Sequence, residues 1–497
     1  MKKTISQFTR ENASFKHRLG ILLISVSTLM LEFTLIRVLS VSLWYHFAFM
    51  IISIALLGFG ISGVTIVISN KINKADLNTF LTFVSLLYSL SVLASFIVIN
   101  KIPFDPFSLF IEPSQLIYLP LYYLTITLPF FLAGLIIGQM FTRFKHEINK
   151  LYFFDLLGAG LSCFVFILVL PSFGGSGGII TSSLIAAIAS IIFMLEKNKL
   201  AFAGPVAAIV LICVNGLFLT DPEGYLPIRI SDNKVYGNYM KENPDLKILT
   251  EWNTFSRVDV MKDDSPPVDN YPVYTAIIDA GNSTTNIPKV PADTDSLPPP
   301  MDASNLAMIL KNDSANVFIV GSGGGGEILD ALSHHAKNVI AVEINGILND
   351  LIKKQFAAHW TTGIADSKKV HIITDDARGY LRSKRYLFDV IISAHTISAS
   401  ATASGAMSLV ENYILTKEAI DDYLHHLKPD GILYISRPES QIPRIVTTIK
   451  TVTKGLSGGN SKQNFFIFKR PPSEFEKDMS YLTGVVFKKD GFNEYDI

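Results

Sequence analysis

Long apolar runs bounded by charge, proline or glycine dominate residues 18–220, and short alternating segments replace them from Asp221 onward. A hydrocarbon core of ~30 Å takes about 20 apolar residues in a helix, so each long run is a candidate membrane span. The runs are Leu19–Leu39, Phe47–Ser69, Phe80–Ile99, Leu116–Phe141, Leu151–Leu170, Gly177–Leu195 and Leu200–Leu219. They predict an N-terminal transmembrane α-helical bundle of about seven helices over residues 1–220. The basic N-terminus (Lys2, Lys3, Arg10, Lys16, Arg18) precedes an apolar run too long for a signal-peptide core, so that run is expected to stay as a span.

Basic residues in the loops bear on orientation, because Lys and Arg are retained on the cytoplasmic side. With the N-terminus inside, Lys71, Lys74, Arg143, Lys145, Lys150, Lys197 and Lys199 fall in inner segments and Lys101 in an outer one. The expectation is a multi-pass cell-membrane protein. An odd number of spans places the C-terminal half outside the cytoplasm, and loss of the 200–219 run reverses this, so the side stays open. Ionisable groups inside spans cost roughly 2.5–3.5 kcal/mol and need a reason. Glu32, Arg37 and Asp155, with His46 in the first link, are read either as helix-locking pairs or as a polar cavity. Gly158 and Gly160 beside Asp155 permit close helix packing.

Residues 221–300 read as a small β-hairpin module, with alternating segments at Lys247–Thr250, Arg257–Met261 and Tyr274–Asp279, followed by a Pro-rich extended loop from Ile287 to Pro300. Over 301–497 strands and helices alternate. Strands are expected at Val317–Val320, Val339–Val342, Val370–Ile373, Val390–Ile392 and Ile432–Ser436. The order makes a doubly wound, mostly parallel α/β sheet of Rossmann-like type.

Open α/β sheets bind ligands at the carboxyl ends of their strands. After the first strand comes Gly321-Ser322-Gly323-Gly324-Gly325-Gly326-Glu327, which lets backbone approach a ligand closely and turn into a helix. The second strand ends in Val342-Glu343-Ile344-Asn345, where a carboxylate can accept from a ribose diol. The third ends in Asp375-Asp376-Ala377, where a carboxylate can accept from an adenine amino group. Together Gly321, Gly323, Gly325, Glu343, Asp375 and Asp376 form a candidate adenosyl site. Without a second glycine motif or a hydride-transfer Tyr/Lys pair, a sulfonium donor of the class I S-adenosylmethionine type is favoured over a nicotinamide.

Composition narrows the classes further. Lys+Arg and Asp+Glu balance at 43 each, which points away from nucleic acid as a partner. Cys163 and Cys213 both lie in apolar runs, so neither a disulfide nor a cysteine-ligated metal is expected in the C-terminal half. His334-His335 sit within an expected helix without metal-ligand spacing and are read as solvated.

Residues from about 245 to 440 resemble the spermidine synthase (polyamine aminopropyltransferase) family, in its membrane-fused bacterial branch. The likeness rests on Trp252-Asn253-Thr254-Phe255-Ser256-Arg257-Val258-Asp259-Val260, Ile278-Asp279-Ala280-Gly281, the glycine run, Val342-Glu343-Ile344, Asp375-Asp376-Ala377, Ser408-Leu409-Val410-Glu411-Asn412-Tyr413 and Leu427 to Leu433. The resemblance implies that Glu343 holds the ribose and Asp376 the adenine, with S-adenosylmethionine or its decarboxylated form as donor. The chain also departs from the family. The acid that the soluble members carry in the glycine run is Gly324 here. The place of their Asp-Ser-x-Asp-Pro motif after the fourth strand is taken by Ala394-His395-Thr396-Ile397-Ser398. Those acids deprotonate the attacking amine and hold a polycation, so ordinary putrescine aminopropylation is not expected.

Three residues near that strand end remain as catalytic candidates. His395 suits proton transfer at neutral pH, Glu411 is an alternative base, and Tyr413 follows it. Arg437, after the fifth strand, either binds an anionic group or pairs with Glu439. The leading expectation is a membrane-integral transferase moving an aminopropyl or methyl group from an S-adenosyl donor to a small-molecule or lipid-soluble acceptor, with a homodimer as a candidate assembly. The alternatives are a transporter or sensor whose domain binds an S-adenosyl or polyamine ligand without turnover, and a methyltransferase unrelated to polyamines.

Overall fold

The computed structural model describes residues 12–44, 50–109, 111–195, 203–262, 273–294, 297, 304–311, 314–394, 413–453, 464–469 and 483–494. The chain divides into two compact units, residues 1–242 with 251–257, and residues 243–250 with 258–497.

The main helices of the first unit are α1 (Phe15–Ser42), α2 (Met50–Ile68), α3 (Leu77–Ile99), α4 (Gln115–Arg143), α5 (Ile148–Met194) and α6 (Ala203–Phe218). Polar caps start two of them: Ser14 accepts from the His17 amide and Asp76 from the Thr79 amide, each satisfying a donor that the first turn leaves unpaired. Five of the helices are long and apolar enough to cross a bilayer. Their outward faces carry Leu56, Val67, Ile68, Leu116, Phe164 and Leu168, while Ile24, Leu39, Ile54, Tyr88 and Phe130 fill the interior. A helix apolar on all sides suits lipid rather than water.

Helix α5 is two helices in one. At Gly174 the backbone takes φ 66°, ψ −172°, a region essentially reserved for glycine. Contacts along α1 run in opposite directions before and after this point. Asp155 accepts from Ser25, and Phe166 packs on Phe33 with ring centroids 5.6 Å apart, so the first arm runs with α1. Beyond Gly174, Gly178 abuts Thr34, Ser27 donates to the Ser182 carbonyl at 2.6 Å and Phe193 lies on Gly20, so the second arm runs back. Helices therefore cover both of the expected runs, 151–170 and 177–195, joined by one glycine-dependent reversal. The acid within the first arm serves helix packing: Asp155 is tied to α1 by a hydroxyl, and a Cβ at Gly158 would come within 2.3 Å of the Leu22 carbonyl. His46 lies outside the described residues.

The second unit holds two sheets. Strands β1 (Lys247–Trp252), β2 (Arg257–Lys262), β3 (Val273–Ile278) and β4 (Ser283–Pro288) form a four-stranded sheet in sequential order. The pattern reading found the first three. The last two residues of β4, Ile287 and Pro288, fall in the expected extended loop, and Ser283-Thr284-Thr285-Asn286 is polar throughout, with no apolar alternation to mark a strand. The β3–β4 turn needs left-handed backbone at Asp279, Ala280 and Gly281. The sheet packs Val258, Val260, Ala276 and Ile287 onto Leu348, Leu351 and Phe356.

The larger sheet has the order β10-β11-β9-β8-β5-β6-β7, from β5 (Asn316–Val320), β6 (Asn338–Glu343), β7 (Val370–Thr374), β8 (Phe388–Ala394), β9 (Leu427–Arg437), β10 (Phe465–Lys469) and β11 (Thr483–Lys488). Strands β7, β6, β5, β8 and β9 are parallel, as their apolar runs and intervening helices predict. The antiparallel edge made by β11 and β10 was not expected from the pattern. Alternate residues fill two cores, Val317, Ile319, Val390 and Ile392 on one face and Phe318, Val320, Ile391 and Leu433 on the other. That is the period-2 signature of strands covered on both faces. Helices α7 (Gly326–Ser333), α8 (Gly346–Asp350), α9 (Ala377–Arg382), α10 (Lys417–His425) and α11 (Ile442–Thr453) supply the cover. Because α7 stops at Ser333, His334 and His335 are not within a helix; His334 pairs through Nε2 with Asn305 and is half-buried rather than solvated.

Candidate functional site

The chain reverses its direction of strand addition at β5, which has β6 on one side and β8 on the other, so the crevice of this sheet opens at the carboxyl ends of β5, β6 and β8. The glycine run leaves β5 at this point. Gly321, Gly323 and Gly325 take φ of 71°, 50° and 96°, and Gly325 caps α7 in the left-handed region that glycine alone occupies without strain. The run thus needs glycine for its own turn, before any ligand is considered.

Glu343, the last residue of β6, reaches back to this loop. One carboxylate oxygen accepts from the Gly323 amide at 3.0 Å and the other from the Asn345 amide at 2.8 Å. A carboxylate has about four lone-pair sites, so each oxygen retains capacity for a further donor. Glu343 is buried, and burial pushes its carboxyl above the ordinary carboxylate range, against the Asn345, Gly323 and Ile344 amides that pull it down. Beside it the Ser322 hydroxyl is buried with no hydrogen-bond partner among the described residues. A buried hydroxyl without a partner costs free energy unless something polar satisfies it. The loop is therefore fit to receive a polar ligand.

Two residues of β4, which the sequence reading did not single out, complete the loop. The Gly324 amide donates to the Thr285 hydroxyl at 2.8 Å, and a Cβ on Gly324 would come within 2.1 Å of the Asn286 carbonyl. The glycines at 323 and 324 thus admit a neighbouring strand as closely as they would a ligand. Thr285 lies only four residues beyond Gly281, the end of a stretch the sequence reading already noted; its polar strand pattern concealed it. Asn349 adds a second tie, donating to the Thr374 hydroxyl at 2.8 Å and so linking the α8 segment to the end of β7.

Asp375 and Asp376 follow β7 and are exposed. Asp376 caps α9, accepting from the Gly379 amide at 2.6 Å, and Asp375 accepts from the Asp376 amide at 2.8 Å. The sheet brings Glu343 and this pair to adjacent strand ends, where the Asp375 amide donates to the Glu343 carbonyl at 3.3 Å. A cavity of about 940 Å³ opens elsewhere, at the amino ends of β5 to β8, where Asn316, Asn338, Val370 and Phe388 line it; none of the candidate residues does. Among the described residues no cluster of His, Cys, Asp or Glu is arranged to hold a metal ion.

The model of the spermine/spermidine synthase domain family matches residues 302–458. Residues 302–458 are thus similar to the spermine/spermidine synthase domain. The chain is 30% identical over 130 residues to a polyamine aminopropyltransferase of Lachnospira eligens, covering 26% of this chain and 42% of that one. It is 25% identical over 138 residues to the polyamine aminopropyltransferase of Buchnera aphidicola subsp. Acyrthosiphon pisum, covering 28% and 47%. The chain spans less than half the length of these curated relatives. Spermidine synthase from Thermotoga maritima, a solved structure, aligns with a TM-score of 0.35 at 16% identity, over 51% of this chain and 75% of that one.

Within this synthase-like domain the catalytic candidates His395 and Glu411 lie outside the described residues. Tyr413 is described: its side chain is exposed, and its carbonyl accepts from Arg378 at 3.4 Å, which holds it beside α9. Ala394, in the place of the acidic family motif, ends β8 in a buried position. Arg437 is buried at the end of β9. Burial draws its guanidinium down to about 10, with Tyr423 opposing the shift, so it is charged at neutral pH. Glu439, suggested as its partner, is exposed and pairs with Lys469 at 2.5 Å.

Proposed function

We propose that the synthase domain binds an S-adenosyl donor, S-adenosylmethionine or its decarboxylated form, and transfers an aminopropyl or methyl group from it, in a protein held in a lipid bilayer by the first unit. The observation that carries this reading is the joint between two strand ends, where the glycine loop donates to Glu343 and leaves both carboxylate oxygens with spare acceptor capacity. Glu343 suits the ribose diol, the unpartnered Ser322 hydroxyl suits a polar group of the donor, and Asp375 or Asp376 suits the adenine amine at the next strand end. Such a donor supplies an alkyl group already activated by its sulfonium. The protein's part is to orient it and to take a proton from the acceptor. His395 and Glu411 are the candidates for that proton, and Tyr413 is a candidate contact for the acceptor.

A binding module without turnover is the second reading. It is favoured by the absence of room for an acid at Gly324 and by Ala394 where the family carries an acid. The two readings separate by calorimetric titration of the full chain in detergent with each donor, followed by product analysis on total membrane extract. Donor binding with a transferred group supports the transferase; binding without product supports the module; no binding of either donor sinks both.

A further inference from the structure

The first unit carries its own record of how many times the chain crosses it. At one end lie the start of α1, the connection between α2 and α3, the connection between α4 and α5, and the close of α5. The Ala13 amide donates to Glu147 at 2.9 Å, His17 pairs with Asn78 at 2.8 Å, Lys16 donates to the Leu195 carbonyl at 2.6 Å, and Arg143 donates to the Ala75 carbonyl at 2.7 Å. At the other end lie the close of α1, the turn after α3, the reversal at Gly174 and the segment after α6. Ser42 donates to the Arg229 carbonyl at 2.5 Å, the buried Lys234 donates to the Ser40 carbonyl at 2.7 Å, the Arg229 amide donates to Asn100 at 2.7 Å, and Ser176 donates to the Leu226 carbonyl at 2.6 Å.

Residues 226–234 are thus fastened to the end of α1 opposite to Phe15. An odd number of passes separates them. Helix α6 decides the parity. Its 16 residues span about 24 Å at ~1.5 Å per residue, short of a ~30 Å core. Yet Gly204 lies beside Met194 at the first end, Asn215 donates to the Ser183 hydroxyl at 3.2 Å part-way along, and Leu226 is held at the second end. The chain therefore travels the length of the second arm of α5 between residues 204 and 226, and α6 with its following turn makes the seventh pass.

The two ends differ in charge. The first gathers Lys16, Arg18, Lys71, Lys74, Arg143, Lys145 and Lys150. At the second end the described basic residues are Lys101, Arg229, Lys234 and Lys241, offset by Asp105, Glu112, Asp221, Glu223 and Asp232. Lys and Arg concentrate on the cytoplasmic side of spanning bundles, where the leaflet is anionic. Resting on the reading that this bundle crosses a bilayer, we infer that its Phe15 end faces the cytoplasm and that the chain leaves it on the opposite face, so the synthase domain works outside the cytoplasm. Donor and acceptor must then both be available on that face, since a charged adenosyl sulfonium does not pass an apolar core unaided.

The test fuses alkaline phosphatase, which matures only outside the cytoplasm, or a fluorescent protein that matures only inside it, to the C-terminus of the full chain. A parallel arm labels Ser108→Cys and Lys145→Cys, each in a Cys163→Ser, Cys213→Ser background, with a membrane-impermeant maleimide in intact cells. Active phosphatase, a dark fluorescent fusion and labelling of the 108 variant alone are expected. A bright fluorescent fusion, or labelling of the 145 variant alone, overturns the inference while leaving the bilayer reading intact. Release of the protein by alkaline carbonate removes the bilayer reading and the inference with it. Donor titration of purified protein is independent of all these outcomes.

Discussion

Glu343 joins a legible role to a less obvious environment. Its position at the end of a strand, about 20 residues beyond the glycines, suggests a ribose ligand from spacing alone. That its carboxylate is buried and shared with two backbone amides is a tertiary fact. Substituting Glu343 with Ala removes charge-assisted hydrogen bonds worth roughly 1.5–3 kcal/mol each, so calorimetry should show donor affinity falling by at least tenfold while circular dichroism stays unchanged. Burial raises its pKa, so the ionised, ribose-accepting form is lost at a pH above the ordinary carboxylate range. Donor affinity should therefore decline on mild acidification, and an unchanged affinity down to the usual carboxylate pKa would remove Glu343 from the site. The same raised pKa means that the folded state favours the protonated form, so this group's contribution to stability is present at low pH and is lost as pH rises through the shifted value. Gly324 behaves differently. Restoring the family's acid as Gly324→Asp drives a Cβ into the Asn286 carbonyl, an overpacking expected to cost about 1–3 kcal/mol. A lowered melting temperature without gain of activity is the predicted outcome.

At the scale of elements, the parallel strands were legible because continuous apolar runs alternating with helices admit few arrangements. Strand β4 was not, since its polar residues earn their place by bonding the glycine loop rather than by burial. A second tertiary feature clasps three strands at their amino ends. Asp389 of β8 accepts from the Asn316 amide of β5 at 2.9 Å and from Lys428 of β9 at 2.8 Å. Burial opposes its charge, but Lys428 and the Asn316 groups prevail and hold its carboxyl below the ordinary range. A depressed carboxylate pKa stabilises above the unfolded value and loses that contribution as pH falls through the folded one. Asp389→Asn should destabilise by about 1–3 kcal/mol at neutral pH, by the cost of a buried donor left short of its acceptor. The difference from the parent protein should shrink in acid; a constant difference across a pH series of thermal melts would refute the assignment. In the first unit, Gly174→Ala meets a forbidden backbone and places a Cβ 2.9 Å from Trp252 Nε1. A strained residue of this kind costs on the order of 1–3 kcal/mol, so a lower yield of monodisperse protein in detergent size-exclusion is expected.

For the whole molecule, the two units present different surfaces. The first exposes large apolar side chains along α2, α4 and α5, whereas the second buries its apolar residues on both faces of one sheet. Removing the first unit's setting should therefore affect the two unequally. Transfer from detergent to detergent-free buffer is predicted to aggregate the intact chain, as light scattering would register.

The order of apolar runs, the glycine loop and the acid twenty residues beyond it were determined by the sequence alone, because helix length, strand period and glycine's backbone freedom are local properties. Several features were decided only in three dimensions. They are the reversal at Gly174, the antiparallel edge of β10 and β11, the closure of the loop by Thr285 and Asn286, and the fastening of residues 226–234 to the far end of α1. Each joins residues distant in the chain, and no local pattern of hydrophobic and polar positions records which distant partner a backbone amide or a hydroxyl will find.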